Sequence, residues 1–196
     1  AEERLAAVRD AVGPDVDIIC ENHCITDANT ALQYARMYER YDIMFLEEPV
    51  IPLSAAGYRK LSDHTSIPLA TGERTTQCRG FLPLVTEGRL SVAQPDIGSC
   101  GGPTEFKRIA DLCRLYDVSV QAHTCSGPLS VAAALHCESA ISNFIIHEHH
   151  VMNTLPGNIR LGKYNYQPRD GYLTAPDLPG LGQDLSEEAL RDAVVQ

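Results

Sequence analysis

The stretch Ile43-Met44-Phe45-Leu46-Glu47-Glu48-Pro49 constrains this chain more than any other. A short apolar run reads as a buried strand, and proline closes it. It surfaces on two carboxylates, and an acid at the end of a buried strand is costly unless something cationic pairs with it. The same design recurs along the chain. Val16–Cys20 runs into Glu21, Ile67–Gly72 into Glu73, Leu90–Pro95 into Asp96, Val118–Ala122 into His123, and Phe144–His147 into Glu148. Glu21, Glu47 and Glu73 stand 26 residues apart, and the later steps are 23, 27 and 25 residues. A step near 25 residues holds one strand, one helix and two loops. Six such units predict a parallel α/β array with every polar strand end on one face. That is the arrangement of a (β/α)8 barrel, whose catalytic groups sit at the strand C-termini.

Eight units need about 250 residues, and the 196 residues here supply six strands. Leu5, Val8 and Val12 have helical spacing, with no strand before them. The pattern therefore predicts a partial barrel over residues 1–150, belonging to the later part of a larger protein. From Val151 the long period is lost. Residues 151–196, rich in Pro, Gly, Asn and Tyr, predict an extended C-terminal tail that packs back on the barrel and ends in a short helix opened by Ser186.

Between the strands, start signals place the helices. Thr26-Asp27 caps one that runs to about Arg40, Ser54 caps a short one carrying Tyr58 and Leu61, and Phe81, Leu84 and Val85 mark a third. Pro103 opens a helix whose buried stripe is Phe106, Ile109, Ala110 and Cys113, and Pro128 opens an alanine-rich one. The formal charge of −10 argues against a nucleic-acid partner. No stretch is long and apolar enough to span a membrane. Seven cysteines without a Cys-x-x-Cys pair read as reduced thiols in a cytoplasmic protein.

Glu21, Glu47 and Glu73, at neighbouring strand ends, can converge on one point. Hard oxygen ligands with no sulfur among them suit Mg2+. Asp96 and His123 close the next two strands, so a carboxylate can orient an imidazole as a general base. His23 lies two residues after Glu21, on the same side if the strand continues, which makes it a second proton-transfer candidate across the pocket from His123. Glu148 is placed to hydrogen-bond a substrate. In His147-Glu148-His149 strand alternation turns both imidazoles away from Glu148, and His64 and His136 fall at structural positions.

Together these motifs resemble the enolase superfamily, in particular the mandelate racemase branch and its galactonate dehydratase-type acid-sugar dehydratases. The matching elements are Glu47-Glu48-Pro49, Gly72-Glu73-Arg74, Gln94-Pro95-Asp96, Gly101-Gly102, His123 with Gly127-Pro128, Glu148, and Leu178-Pro179-Gly180-Leu181-Gly182 in the tail. Each alone is weak; their order and spacing are specific, and they cover essentially the whole chain.

The resemblance implies strands 3–8 of the family barrel, without the N-terminal capping domain. It implies that Glu21, Glu47 and Glu73 hold Mg2+, which stabilises the enediolate formed when the substrate's α-proton leaves. Asp96 and His123 are then the base dyad, and His23 is the acid that expels the β-hydroxyl. Glu148, Arg74 and Asn22 contact the substrate. The product is a 2-keto-3-deoxy sugar acid, the partner is a small sugar acid, and the full-length protein is a homo-oligomer. Alternatives on the same scaffold are a racemase, epimerase or cycloisomerase, or an inactive fragment that a partner must complete. One departure stands out: Glu21 occupies a position where the family usually has Asp, and one extra methylene shifts the carboxylate by about 1.5 Å.

Overall fold

The computed structural model describes residues 1–193. Five parallel strands form one sheet in the order of the chain. They are β1 (Ile19–Glu21), β2 (Phe45–Glu47), β3 (Leu69–Thr71), β4 (Val92–Ala93) and β5 (Ser119–Val120). Helices alternate with them: α1 (Glu2–Val12), α2 (Ala28–Tyr38), α3 (Ala55–Ser62), α4 (Gln77–Thr86), α5 (Gly102–Arg114) and α6 (Pro128–Ser139). The tail adds α7 (Pro156–Ile159) and α8 (Glu187–Asp192).

The expected caps form. The Asp27 carboxylate accepts from the amides of Asn29 and Thr30 at the start of α2. Ser54 accepts from Ala56 at α3, and Ser186 from Ala189 at α8. Each cap satisfies amides that have no partner within their own helix. The predicted faces of α3, α4 and α5 are buried, with Tyr58, Leu61, Phe81, Leu84, Phe106 and Ile109 nearly inaccessible. All seven cysteines are unpaired.

Strand alternation divides the apolar residues between two sides. Leu46, Leu69, Ala93 and Val120 join the large core under the helices. Phe45, Ala70 and Val92 form a small cluster on the opposite side. Pairing of Ile19 with Phe45 and of Glu21 with Glu47 sets β1 and β2 in register. Because β-strand side chains have a period of two, Glu21 and Glu47 share the face of Phe45. The strands supply burial on both sides at their middles and carboxylates at their ends.

The sixth expected strand is reduced. Phe144 makes one parallel bridge to Val120, flanked by bonds from Val120 N to Asn143 O (2.8 Å) and from Ile145 N to Val120 O (3.2 Å). The next donor, the amide of Ala122, goes instead to the side chain of Glu138, so regular pairing stops there. Apolar residues stay partly exposed at both edges: Ile19, Phe144 and Ile146. The tail is fastened by Asn153, buried with its amide group donating to Thr124 O (2.8 Å), and by Leu181 O, which lies 3.2 Å from His136 Nε2.

Gly72 carries the chain from β3 to Glu73 where β4 passes closest. A Cβ built there lies 2.5 Å from the carbonyl carbon of Gln94, inside contact with backbone that has nowhere to move. Gly72→Ala is therefore expected to lower unfolding stability by about 1–3 kcal/mol, the range for an overpacked interior. Urea unfolding reads this directly; a midpoint equal to that of the unaltered chain would show that the two strands separate freely.

Candidate active site

Glu21 ends β1, Glu47 ends β2, and Glu73 follows β3 by two residues. One carboxylate oxygen from each lies within 4.8 Å of the other two. Gathering acids in a partly buried place opposes the ionisation of Glu21 and Glu47. Burial, reinforced by the charge of Glu21, pushes the Glu47 carboxyl up to about 8. Desolvation also raises Glu21, against a hydrogen bond from the His23 amide (2.6 Å), and the charges of Glu48 and Glu73 add to the rise. A convergent set of hard oxygen donors whose own repulsion is unrelieved fits a small divalent cation such as Mg2+. Glutamate at position 21 meets the same convergence despite its extra methylene.

A fourth carboxylate belongs to this group. Glu48 is fully buried. Its Oε2 accepts from Arg74 Nε at 3.0 Å, and Arg74 Nη2 lies 3.0 Å from Glu73 Oε1. The other Glu48 oxygen, Oε1, is buried without a partner among the described residues. Glu48, Glu73 and His23 also offer ligand atoms within 4.8 Å of one another. Strand alternation would turn Glu48 away from Glu47. The chain escapes it through a left-handed backbone at Glu48, with φ of 42°. That conformation costs about 1–2 kcal/mol for a residue with a Cβ. The doubled acid before Pro49 was the only sequence signal, and it does not specify direction.

Across the mouth, Asp96 and His123 are bridged strand to strand. His123 Nδ1 lies 2.8 Å from Asp96 Oδ2. Asp96 Oδ1 accepts from the Ser99 amide at 3.1 Å. Burial opposes charge on Asp96, but the hydrogen bond and charge of His123, with the Gly98 and Ser99 amides, hold its carboxyl below the usual value. For His123, burial opposes protonation. The hydrogen bond to Asp96 and the negative charges of Glu148 and Glu73 outweigh it and push the imidazole up to about 9. Asp96 thus settles which ring nitrogen faces inward: Nε2, 3.4 Å from Glu73 Oε2.

His23 arrives by a different route from the one expected. β1 ends at Glu21, and His23 sits in a turn with φ of 48°, so continued strand alternation does not apply. Its Nε2 nevertheless lies 3.8 Å from Glu73 Oε1, with the side chain 64% exposed. His23 and His123 therefore address opposite oxygens of one carboxylate.

Glu148 accepts from the Thr124 amide through Oε2 (3.0 Å), and the Thr124 hydroxyl bonds its carbonyl. His147 and His149 pair with Glu138 and Gln167, not with Glu148. Asn22 lies just beyond the end of β1. Its side chain is buried, Oδ1 accepting from the Tyr38 hydroxyl (3.2 Å) and Nδ2 facing Thr26 Oγ1 (3.4 Å), so it braces the turn beneath the site. Arg74 spends two of its nitrogens on Glu48 and Glu73.

Comparison with known proteins agrees with this geometry. The family model described as Enolase C-terminal domain-like matches residues 1–189. A protein named D-galactonate dehydratase from Ralstonia pickettii (strain 12J) is 33% identical over 192 residues, covering 95% of this chain and 50% of that protein. One named D-gluconate dehydratase from Thermoproteus tenax is 42% identical over 132 residues, or 67% of this chain and 27% of the other. Among solved structures, a member of the enolase superfamily from Salmonella Typhimurium superimposes with a TM-score of 0.95 at 50% identity, over 97% of this chain and 49% of that one. The chain thus spans about half the length of the galactonate dehydratase and of the superfamily member it matches. With the parallel βα units, the strand-end carboxylates and the Asp96–His123 dyad in the places the motifs predicted, this chain belongs to the enolase superfamily, as an Enolase C-terminal domain-like chain.

Proposed function

We propose that this chain carries the reaction centre of an acid-sugar dehydratase. The observation that carries the reading is the pair of imidazoles on either side of Glu73, one held in a buried dyad and the other exposed. Elimination of water needs a base at the α-carbon and an acid at the β-hydroxyl, and this arrangement offers both. The names of the two dehydratase relatives support a sugar acid as substrate.

His123 Nε2 takes the α-proton, while Asp96 holds the ring in the required tautomer and stabilises the imidazolium. The electrons of the broken C–H bond move onto the substrate carboxylate, giving an enediolate; they then return to form a carbon–carbon double bond as the β-carbon–oxygen bond breaks. His23, exposed at the mouth, donates its proton to the departing hydroxyl, which leaves as water. The resulting enol tautomerises to a 2-keto-3-deoxy acid. Glu21, Glu47 and Glu73 are the residues that would hold Mg2+, which would supply positive charge to stabilise the negative charge that forms on the substrate carboxylate. Arg74 keeps Glu73 and Glu48 in place. Glu148 offers the substrate the oxygen that the Thr124 amide leaves free.

A second reading follows from the apolar edge residues Ile19, Phe144 and Ile146. In it these edges require covering by a further chain before the centre works. Size-exclusion chromatography separates the two: a compact, active monomer would sink the second reading.

Two outcomes test the main one. His123→Asn is expected to remove exchange of the α-proton with D2O, with a rate loss of about 10²–10⁴-fold for a lost general base. His23→Asn is expected to keep exchange while abolishing the keto acid detected with semicarbazide. If His23→Asn also lost exchange, its role as the acid would fall.

The metal assignment is tested by melting curves. Glu47 has a folded pKa of about 8 against 4.5 for the free side chain. A group raised in this way contributes stability below about pH 4.5 and loses it as pH climbs through about 8. Mg2+ must displace that proton, so it binds more tightly at pH 8.5 than at pH 5.5. At about 100 times the dissociation constant Mg2+ adds about 2.7 kcal/mol, or roughly 5–10 °C in Tm for a chain of this size. The expected shift is large at pH 8.5 and much smaller at pH 5.5 at the same Mg2+ concentration; equal shifts would remove Glu47 from the ligand set.

A further inference from the structure

The last turn of α6 carries a glutamate that no step above uses. Glu138 is 4% exposed. Its Oε1 accepts from the Ala122 amide at 3.1 Å, and its Oε2 lies 2.6 Å from His147 Nδ1. A carboxylate is an acceptor only, so Nδ1 carries the proton in this pair. Both oxygens are engaged, which is the condition for a buried carboxylate to be tolerated.

The identity of the two partners gives the arrangement its meaning. Ala122 immediately precedes His123, and His147 immediately precedes Glu148. The backbone does not join these positions. Pairing between β5 and the following segment ends with the bond from Ile145 N to Val120 O, and Ala122 N, next in line, donates to Glu138. On the mouth side the two strand ends are joined again through Thr124 and Glu148. Glu138 fills the gap between the last ladder bond and that contact.

We propose that Glu138 is a positioning residue for the reaction centre: by gripping Ala122 and His147 together it sets the separation of His123 and Glu148. It touches no reacting atom and acts through its two partners. The inference rests on the dehydratase reading for what His123 and Glu148 do, but the grip itself does not. Displacement of a base by about 1 Å can cost about 10²-fold in rate, so a side chain that replaces missing strand pairing bears on kcat.

The test compares Glu138→Ala, Glu138→Gln and His147→Asn in the full chain, by steady-state kinetics and by hydrogen exchange of the Ala122 amide. Glu138→Ala is expected to lower kcat about 10–100-fold, the range for losing a supporting hydrogen bond, with KM changed less than about threefold, because substrate binding is retained. The Ala122 amide should exchange faster while amides of β2 and β3 do not. Glu138→Gln keeps an acceptor for Ala122 and a polar partner for His147, and should restore most of kcat. A folded Glu138→Ala chain with unchanged kcat would overturn the proposal. So would a Glu138→Gln chain as impaired as Glu138→Ala, since charge and not placement would then be at work. Should Glu138→Ala fail to fold, His147→Asn decides. It keeps the Ala122 bond and is expected to lower kcat in the same way, by less; no change would overturn the proposal. If the unaltered chain dehydrates no acid sugar, the dehydratase reading fails by itself. The Ala122 exchange rate then still decides the grip, faster in Glu138→Ala if the proposal holds and unchanged if it does not.

Discussion

Repulsion among carboxylates at one end of a parallel sheet governs this structure. Four acids reach the same small region, and three nitrogen-bearing side chains meet at Glu73. Arg74 and His23 approach its Oε1, and His123 approaches its Oε2. Burial and then the charge of Glu21 raise the carboxyl of Glu47, while the hydrogen bond to Asp96 and the charges of Glu148 and Glu73 raise the imidazole of His123 against the cost of burial. A cation among Glu21, Glu47 and Glu73 would relieve both, because it takes up the negative charge that now keeps protons on the site.

Arg74 and Glu48 supply the fixed part of the balance. An ion pair with one buried partner contributes little net stability over apolar packing, but removing Arg74 would leave the buried Glu48 side chain without its partner, which is costly. The pair thus works as a constraint. It ties the end of β2 to the loop after β3 and keeps Glu73 pointed at the mouth. The left-handed backbone at Glu48 is needed for that pairing, and the apolar core behind the strands holds it. Tyr58, Leu46, Leu61 and Leu69, all buried, pack there regardless of what the mouth binds.

Stability and chemistry are thus divided between the two sides and two ends of the sheet. Outward residues at strand middles pack on helices with ordinary caps. Inward residues form a thin apolar layer of Phe45, Ala70 and Val92, and the polar groups begin one turn of the pleat above it. Where strand pairing gives out beyond β5, side chains take over from backbone. Glu138 serves from behind, Thr124 with Glu148 at the mouth, and Asn153 of the tail bonds the carbonyl of the same Thr124.

Much of this was legible in the chain itself, because local rules carried it. The 26-residue spacing of Glu21, Glu47 and Glu73 specified parallel units with a common polar end. The Asp27, Ser54 and Ser186 caps and the stripes of α3, α4 and α5 followed from short-range hydrogen bonding and periodicity. The Asp96–His123 pair followed from adjacency of consecutive strand ends. What periodicity did not reach depended on where the backbone leaves its regular path. His23 and Glu48 reach the site through left-handed turns, Asn22 turns inward to Tyr38, and the sixth strand yields to Glu138. Each of these is decided by contacts between residues far apart in sequence, which set a φ angle or capture a single amide. Periodicity assumes that the strand continues, and only the tertiary structure shows where it stops.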